Sequence, residues 1–571
     1  MTPVDSRIQS HLDALYGPAV AAALAPRLAA RLGRFRAEAG GKPTGRRTAG
    51  LTERDALLIT YADQVREPDA APLATLGRFA RTHLRGVVSG IHLLPFYPWS
   101  SDDGFAVKDY LAVAPEYGTW ADVERLGADF DLMFDAVFNH LSAESEWFRR
   151  FLADDPACRD FFITVTGKPD LSAVIRPRAM PLLTAFASAS GPREVWTTFS
   201  ADQVDLNFRN PAVLAAVLEA LLLYVARGAR FIRLDAIAFL WKEPGTTCLH
   251  RPQTHRVVQL LRTVLDEVAP HVRLITETNV PHRDNLSYFG DGTNEAQLVY
   301  NFALPPLVLH ALQTGGAEEL TRWAQSLALP SDRVTFLNFL ASHDGIGLNP
   351  VRGILDDAGI GGLVRRTLER GGFISYKQRS DGTQEPYEMN INYLDALSPP
   401  AAAEPAETAA GRFLTAQAMM LCLQGVPGIY FHSLFGSRGD RAGAEAGGIK
   451  RRINREKLER ARLEAGLADT SSLRAQVFGG YRELLEFRRA HPAFAPAAPQ
   501  RVLDLDARVF AVLRETADGR DRVLCLHNVS GVPVTVAAPG PGAGEQCLKA
   551  HSWRWVPLGR VFKPPVIARH A

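Results

Sequence analysis

Short apolar runs alternate with longer amphipathic stretches along most of the chain, starting at about residue 51. Each run has the length of one buried strand and ends in a polar or glycine-rich segment. The eight runs are ALLITYAD (56–63), GIHLLPFYPW (90–99), FDLMFDAVFNH (130–140), ARFIRLDAIAF (229–239), VRLITETN (272–279), QLVYNFAL (297–304), VTFLNFLASHD (334–344) and VPGIYFHSLFG (426–436). Nearly continuous apolar strands separated by helices are typical of parallel sheets. Eight such units predict an α/β fold, a (β/α)8 TIM barrel.

The stretches between the runs carry apolar residues at helical spacing. Two of them are PAVLAAVLEALLLYVAR (211–227) and HRVVQLLRTVLDEVAP (255–270). Residues 7–37 have the same spacing, with charged residues on the opposite face, and therefore predict helices before the first strand. We interpret this N-terminal segment as an extension that packs against the barrel.

Two segments are too long to be ordinary connections between a strand and a helix. Residues 142–205 follow the third run and predict an inserted subdomain, and residues 345–405 follow the seventh run and predict long loops near the active site. Beyond about residue 495, alternating residues around turns predict a small antiparallel sheet. The predicted domains are an N-terminal helical extension (1–50), a first barrel part (51–141), an inserted subdomain (142–205), a second barrel part (206–490) and a C-terminal β domain (491–571).

Composition and charge narrow the class of protein. The chain has 571 residues, of which 46% are hydrophobic and 22% charged, and this excludes a disordered or fibrous protein. The 64 Lys and Arg residues nearly balance the 62 Asp and Glu residues, so we expect no nucleic-acid partner and no membrane partner. The N-terminus lacks the pattern of a signal peptide, and we expect a cytoplasmic protein.

The sequence gives no support for a metal or a cofactor. The five cysteines are odd in number and form no CxxC or CxxH pair, which argues against a disulfide framework and a structural zinc site. The glycine-rich stretches lack the Lys-Ser/Thr of a phosphate loop, and no loop has EF-hand spacing. We therefore expect no cofactor and no bound metal.

Charged and imidazole side chains stand at the ends of four of the apolar runs. They are Asp135, Asn139 and His140 on the third run, Arg233 and Asp235 on the fourth, Glu277 on the fifth, and His343 and Asp344 on the seventh. The carboxyl ends of barrel strands meet at one mouth, where barrel enzymes place their catalytic groups. Burying a carboxyl group without a partner costs several kcal/mol. The cluster therefore indicates a functional site, with Asp135 and Asn139 as structural hydrogen-bond partners.

Paired carboxylates at a barrel mouth suit glycosyl transfer. One carboxylate attacks the anomeric carbon and the other protonates the leaving oxygen, while further negative charge stabilises the cationic transition state. Arg233 lies two positions before Asp235 and points the same way on a strand, so we expect its charge to keep Asp235 ionised. The alternative is a non-catalytic barrel that binds a sugar or a partner protein, and the presence of three carboxylates argues against it.

Several segments resemble those of a known family. The segments DAVFNH (135–140), FIRLDAIAF (231–239), ITETN (275–279) and FLASHD (339–344) resemble, in order, the four signature segments of the α-amylase superfamily of retaining glycoside enzymes. Four further segments resemble the sucrose-phosphorylase branch of this superfamily: LLPFYPWSSDDGFAVKDY (93–110), WKEPGTTCLH (241–250), NFALPPLVLHAL (301–312) and SHDGIGLNPVRGIL (342–355). Three segments depart from sucrose phosphorylase and are most similar to the glucosylglycerate-specific group of the branch: ETNVPHRDNLSYFG (277–290), LNPVRG (348–353) and PYEMNINYLDAL (386–397).

The resemblance implies a reaction and a set of residue roles. The reaction is the reversible phosphorolysis of 2-O-α-D-glucosylglycerate to α-D-glucose 1-phosphate and glycerate, with a β-glucosyl-enzyme between two displacements. Sucrose phosphorylase and glucosylglycerol phosphorylase are the alternatives, and in each case the partners are small molecules, an α-glucoside and inorganic phosphate. The resemblance makes Asp235 the nucleophile, Glu277 the acid/base and Asp344 the third carboxylate. It assigns glucosyl binding to Asp102, Phe105, His140, Gln203, Arg233, His343 and Arg455, and phosphate binding to Arg178.

The acceptor requires one further group. Glycerate carries a carboxylate, which sucrose does not, so a glycerate site needs a cation or several N–H donors. Arg352 lies eight positions after Asp344 (352 − 344 = 8), in a predicted loop at the same mouth, and we expect it to bind the acceptor. Arg178 and Lys242 are weaker candidates for this role. In the alternative, Arg352 only donates hydrogen bonds to loop carbonyls.

Overall fold

Eight parallel strands close into a barrel in the computed structural model, which describes residues 6–39, 50–167, 169–178, 180–378, 383–539 and 544–559. Each strand lies inside one of the eight apolar runs, and neighbours in chain order pair until the last strand closes on the first. The prediction of a (β/α)8 barrel is confirmed. The strands are β1 (Leu57–Thr60), β2 (Gly90–Leu93), β3 (Asp131–Ala136), β4 (Ala229–Leu234), β5 (Arg273–Thr276), β6 (Leu298–Tyr300), β7 (Thr335–Asn338) and β8 (Val426–Tyr430).

The interior of the barrel is filled by one set of alternate side chains. This inner cluster contains Leu57, Met133, Phe231, Ile275, Leu298, Leu337 and Val426, together with Tyr300 and Phe339. The intervening residues face the helices, so both faces of the sheet are apolar and the runs are continuous. At Gly90 a Cβ atom would lie 2.7 Å from Leu57 Cδ2 and 2.8 Å from the Asp131 carbonyl oxygen, so the packing of neighbouring strands requires glycine.

Helices surround the barrel and connect its strands. The two that the sequence specified most clearly begin at Pro211 and Pro252, where proline at a first helical position costs no hydrogen bond. No helix in the described ranges is long and apolar enough to span a membrane. The helices between residues 50 and 490 are Pro72–His83, Trp120–Gly127, Glu146–Leu152, Pro211–Ala226, Pro252–Val268, His282–Leu286, Leu304–Thr314, Glu318–Gln325, Asp357–Glu369, Tyr393–Leu397, Ala406–Cys422, Phe431–Leu434, Arg441–Gly447, Arg460–Ala468 and Leu473–Ala490.

The N-terminal segment forms two helices, α1 (Ser6–Tyr16) and α2 (Pro18–Ala39), on the outside of the barrel. Ile8 and Leu12 are fully buried and belong to the main apolar core. The Tyr16 hydroxyl donates to the Phe208 carbonyl oxygen at 3.0 Å. The helices predicted over residues 7–37 are present, and they pack against the barrel as expected.

The segment after β3 leaves and re-enters the barrel through one short antiparallel pair of strands. His140–Ser142 pairs with Gln203–Asp205, and His140 lies opposite Asp205. Beyond this neck lie a helix and a hairpin of Leu183–Ser188 with Gly191–Trp196. The polar residues of the neck therefore come from both ends of the insertion. The boundaries 142–205 for a separate subdomain stay a prediction.

The segment after β7 is more ordered than the predicted loops. Ile346–Gly347 and Phe373–Gln378 flank Gln384–Asn390 in a three-stranded antiparallel sheet. The sheet approaches the barrel closely at two glycines: a Cβ atom on Gly345 would lie 2.6 Å from Glu388 Oε1, and one on Gly347 would lie 2.5 Å from Asn279 Oδ1. The absence of side chains at these positions lets the sheet lie against the barrel mouth.

The C-terminal segment forms the predicted antiparallel sheet. Its strands Gln500–Asp506, Val509–Glu515, Arg522–Asn528 and Trp553–Leu558 pair in the order first, second, third, last, and a second pair joins Val534–Ala537 to Glu545–Leu548. The buried Arg514 donates to the carbonyl oxygens of Cys422 at 2.9 Å and Ala498 at 3.2 Å. The sheet is thus fixed to the end of a barrel helix.

Candidate active site

One pocket lies at the carboxyl ends of the barrel strands and collects nine of the twelve predicted site residues: Asp102, Phe105, His140, Arg178, Gln203, Asp235, Glu277, His343 and Asp344. Arg233 and Arg455 contact this group without being among its lining residues. The lining also includes residues that the sequence did not single out as site residues: Pro177, Phe199, Ala236, Ala238, Phe239, Thr278, Asn279, Val280, Phe302, Gly345, Tyr387 and Arg451.

The ends of β3 and β4 bring two carboxylates to one arginine. Arg233 Nη1 lies 2.8 Å from Asp235 Oδ1, and the same guanidinium pairs with the buried Asp135. The next residue, Ala236, has a left-handed backbone with φ of 48°, which is strained for alanine. This turn aims the Ala236 N–H at Glu277 Oε2, at 3.1 Å. The strained turn therefore links the two carboxyl groups that the sequence assigned to covalent and acid/base chemistry.

Burial and neighbouring charges shift the pKa values of the three carboxyl groups, and not all in the same direction. Burial raises the pKa of Asp235 well above its usual range, and this outweighs the opposing effect of Arg233. The expectation that Arg233 alone would keep Asp235 ionised is therefore incomplete. Burial also raises the pKa of Glu277, and the Asp344 charge adds to this effect. For Asp344 burial acts in the same direction, but Arg451, His343 and Arg455 bring the pKa well below its usual range.

Asp344 is held by two arginines from the segment that follows β8. Arg451 Nη1 lies 2.6 Å and Arg455 Nη2 3.2 Å from Asp344 Oδ1. On its other edge Arg451 forms a two-point pair with Glu388, with Nε 3.0 Å from Oε1 and Nη2 2.7 Å from Oε2. A bidentate pair of this kind fixes the plane of a guanidinium as well as its position. Asp344 and Glu388 therefore hold Arg451 from two sides.

The opposite wall of the pocket is built on a sharp turn after β2. Asp102 and Asp103 both have left-handed backbones, with φ of 53° and 50°. Arg455 Nη1 lies 3.4 Å from Asp102 Oδ1, and Arg178 Nη2 lies 3.7 Å from Asp102 Oδ2. Burial raises the pKa of Asp102, but Arg455 and Arg178 lower it below its usual value. Asp102 is thus an ionised carboxylate in the wall of the pocket.

Aromatic and imidazole groups complete this wall. The Phe105 ring stacks on His343 with a centroid separation of 4.8 Å and an interplanar angle of 6°. His140 Nε2 lies 3.0 Å from the Phe105 carbonyl oxygen, and Gln203 Nε2 donates to the same oxygen at 3.3 Å. Burial lowers the pKa of His140 and lowers that of His343 to about 3. Both imidazoles are therefore neutral at physiological pH.

A buried ammonium lies behind His140. Lys242 Nζ lies 2.6 Å from Asp205 Oδ2 and 2.6 Å from Asn139 Oδ1. Asn139 Nδ2 in turn lies 3.2 Å from His140 Nδ1. Lys242 therefore binds residues at the neck of the insertion and does not line the active-site pocket. Asn139 has the structural place that the sequence predicted.

Arg352 is not brought to the pocket. Its side chain pairs with Glu385 at 3.3 Å and donates to the Pro386 carbonyl oxygen at 3.2 Å and to Asn349 Oδ1 at 3.4 Å. These contacts hold the sheet after β7 together, which corrects the expectation that Arg352 faces the acceptor. Only its position in the chain suggested this role. In the structure the Arg352 side chain lies against the strand Gln384–Asn390 instead.

Arg451 is the charged lining residue that sequence reasoning missed. It lies in the charged segment KRRINREK, four positions before Arg455, which was predicted. Residues 450–454 form a 3-10 helix and Arg455 directly follows it, and the guanidinium groups of Arg451 and Arg455 both reach Asp344. In the described ranges no cluster of three or more His, Cys, Asp or Glu side chains is suited to hold a metal ion. The expected lack of a cofactor stays a prediction.

Comparison with known proteins places this barrel in a class. The family described as "Alpha amylase, catalytic domain" matches residues 85–344. The crystal structure of sucrose 6F-phosphate phosphorylase from Thermoanaerobacter thermosaccharolyticum is similar in fold, with a TM-score of 0.74 and 23% sequence identity, and the match covers 87% of this chain and 98% of that one. Residues 85–344 therefore match the catalytic domain of that family, and the barrel as a whole has the fold of that solved structure.

The relatives narrow this class to one family. Glucosylglycerate phosphorylase of Allomeiothermus silvanus is 52% identical over 533 residues, which are 93% of this chain and 94% of the relative. A sucrose phosphorylase of Agrobacterium vitis is 30% identical over 469 residues, covering 76% of this chain and 88% of the relative. The chain belongs to the glucosylglycerate phosphorylase family.

Proposed function

We propose that this protein is a retaining glycoside phosphorylase that converts 2-O-α-D-glucosylglycerate and phosphate into α-D-glucose 1-phosphate and glycerate, reversibly. The observation that carries the proposal is that three carboxyl groups, Asp235, Glu277 and Asp344, line one pocket at the barrel mouth with arginines beside them. Paired carboxyl groups that flank a glycosidic bond are typical of retaining glycoside enzymes. The family relationship supports the substrate.

The first displacement breaks the glycosidic bond. Asp235 attacks the anomeric carbon and forms a β-glucosyl ester, while Glu277 gives its proton to the oxygen of the departing glycerate. The raised pKa of Glu277 keeps this proton available. Asp344 remains ionised beside its two arginines and stabilises the positive charge that develops on the sugar ring.

The second displacement releases the product. A phosphate oxygen attacks the anomeric carbon of the ester, the bond to Asp235 breaks, and any proton on the attacking oxygen passes to Glu277. Phosphate is already ionised, so it needs a general base less than water does. It needs cationic groups beside the carboxylates, and Arg178 and Arg451 are the arginines that line the pocket.

The glucosyl group and the acceptor occupy opposite sides of the reacting carbon. One wall of the pocket is polar and suits the sugar hydroxyls; its residues are Asp102, Gln203, His140 and Arg455. The stacked rings of Phe105 and His343 lie beside them. Arg178 faces Asp102 from the insertion after β3.

The cytoplasmic location and the lack of nucleic-acid or membrane partners stay predictions from the sequence.

A panel of α-glucosides tests the proposal. Purified protein is incubated with glucosylglycerate, sucrose or glucosylglycerol, with and without phosphate, and the release of α-D-glucose 1-phosphate is measured. We expect release that depends on phosphate and is most efficient with glucosylglycerate. Release from sucrose at equal or greater kcat/KM would make sucrose phosphorylase the correct alternative. Equal sugar release without phosphate would identify a hydrolase and contradict the proposal.

A further inference from the structure

The strand Gln384–Asn390 carries a buried carboxylate that has no part in the two displacements. Glu388 is 2% exposed, and its partners are the Arg451 guanidinium, at 3.0 and 2.7 Å, and the Gly345 backbone N–H, at 2.7 Å. Burying a carboxylate costs free energy unless hydrogen bonds and an opposite charge compensate it. The complete set of partners around Glu388, at the edge of the pocket, therefore suggests a role in the pocket.

Two residues connect this carboxylate to the reacting centre. Gly345 directly follows Asp344, and Arg451 also binds Asp344 at 2.6 Å. Glu388 occupies the space that Gly345 leaves empty, since a Cβ atom there would lie 2.6 Å from Glu388 Oε1. Tyr387, the preceding residue, lines the pocket. The sheet after β7 therefore contributes one residue to the pocket wall and one to the support behind it.

Arg451 still has donors to offer. A guanidinium has five N–H groups, and the described contacts with Glu388 and Asp344 engage three of them. Arg451 lines the pocket, and its charge also lowers the pKa of Glu277. Glu277, which protonates the leaving oxygen in the proposed mechanism, lines the same pocket as Arg451, so the acceptor departs into a pocket that contains the remaining donors of this guanidinium.

We propose that Glu388 is a positioning residue for acceptor specificity: it fixes the plane of Arg451 so that the remaining N–H groups bind the carboxylate of the acceptor. The inference rests on the proposed function, because that function supplies the anionic acceptor. It places the cation needed for glycerate on Arg451, where the sequence suggested Arg352.

The test measures a product ratio. Glucosyl-enzyme is formed from α-D-glucosyl fluoride, a donor without phosphate, and glycerate and glycerol compete for it at fixed concentrations. The ratio of glucosylglycerate to glucosylglycerol reports only the second displacement, so a variant that forms the intermediate slowly still gives a valid ratio. Glycerol is the neutral counterpart of glycerate, and the ratio therefore isolates recognition of the carboxylate.

Two substitutions break the two-point pair in different ways. Glu388→Asp keeps the charge but is one methylene too short, and Glu388→Gln keeps the length but loses the charge and one acceptor. A charge-assisted hydrogen bond in this position corresponds to about tenfold or more in affinity, so we expect both variants to lower the ratio about tenfold. The matched control is Glu385→Gln, on the same strand, where the carboxylate pairs with Arg352 and Lys377; its ratio should stay within about twofold of the wild type.

Each outcome decides the matter. An unchanged or increased ratio in either Glu388 variant, or an equal decrease in Glu385→Gln, overturns the role of Glu388. A wild-type protein that neither prefers glycerate nor releases glucose 1-phosphate in the panel assay contradicts the proposed function itself. A wild type that prefers glycerate, combined with Glu388 variants that keep the preference, contradicts only this inference.

Discussion

The chemistry of each carboxyl group is decided by the groups around it. Asp235 is buried and Glu277 and Asp344 are partly buried at one barrel mouth, yet only Asp344 is paired with two arginines that lie in the same short segment. Asp235 shares Arg233 with Asp135, so the positive charge of Arg233 stabilises the ionised form of Asp235 less than it would in an exclusive pair. In the proposed mechanism, identical functional groups therefore serve as an ionised stabiliser and as a proton donor within one pocket.

The raised pKa of Asp235 has a consequence for the pH profile. The nucleophile must be ionised in the free enzyme, so kcat/KM falls as the pH drops through its pKa. Because burial raises that pKa, we expect the acidic limb of kcat/KM to lie clearly above about pH 4, the value typical of an unperturbed aspartate. α-D-Glucosyl fluoride is the suitable donor, since its departure needs little proton donation. An acidic limb at or below about pH 4 would contradict the direction of the shift.

Substitution of Glu277 separates acid catalysis from nucleophilic attack. Glu277→Gln removes the proton donor while Asp235 is retained, so we expect turnover of glucosylglycerate to fall about 10²- to 10⁴-fold. The loss with α-D-glucosyl fluoride should be much smaller in the first displacement. Pre-steady-state release of fluoride provides the measurement. Asp235→Asn serves as the control, because it should abolish fluoride release as well, and equal losses for both donors in Glu277→Gln would refute the acid role.

At the scale of elements, the neck of the insertion after β3 depends on one buried charge. Lys242 contacts Asp205 on the returning strand and Asn139 just before the departing one. Asp205 further accepts from the Thr198 N–H at 3.0 Å and from its hydroxyl at 2.6 Å. The insertion carries Arg178 and Gln203 of the pocket wall, so the orientation of these side chains depends on the neck.

Removal of the Lys242 charge should destabilise the protein. Lys242→Met leaves Asp205 as a buried unpaired carboxylate, and breaking a buried pair in this way costs about 3–5 kcal/mol. We expect a lower urea midpoint, measured by circular dichroism. The double variant Lys242→Met with Asp205→Asn removes both charges and should recover much of the loss. A double variant that is no more stable than Lys242→Met would show that the charge pair is not the cause.

The sequence predicted the strands well and the site in part. Each barrel strand is buried on both faces, so its residues are continuously apolar and the run is visible without knowledge of the fold. The carboxylates on β4, β5 and β7 follow those runs directly and could be placed at one mouth. Arg451 and Glu388 could not, because their roles come from contacts between segments that are distant in sequence. Arg352 shows the converse, since a short sequence distance from Asp344 did not bring it to the pocket.

At the scale of the whole molecule, the barrel is completed by its additions. α1 and α2 extend the core outward, and the C-terminal sheet covers the last barrel helices. Trp555 packs against Phe494 at 5.0 Å and Phe487 at 5.5 Å between ring centroids, while Arg514 satisfies carbonyl oxygens at the end of Ala406–Cys422. These contacts make the terminal sheet a part of the core.

Deletion of the C-terminal sheet should therefore prevent folding of the barrel. A chain that ends at Gln500 loses Arg514 and Trp555, exposing apolar rings and leaving buried carbonyl oxygens without donors, each worth about 1–3 kcal/mol. We expect this truncated protein to be insoluble or to bind a hydrophobic dye such as ANS, in contrast to the full chain. A truncated protein that is soluble, melts cooperatively and retains turnover would show that the sheet is dispensable.

The two glycines that follow β7 have a consequence for the engineering of new acceptors. A transplanted hairpin (residues 373–390) from another phosphorylase would have to carry at position 388 a side chain that fits against Gly345, and it would have to leave Gly347 its close approach to Asn279. The donor segment would thus have to be moved together with its matching residues from the end of β5 and from the 3-10 helix that holds Arg451. With Arg451 and Glu388 in their proposed roles, acceptor preference depends on these three chain segments together, and exchange of the hairpin alone would yield a mismatched hybrid.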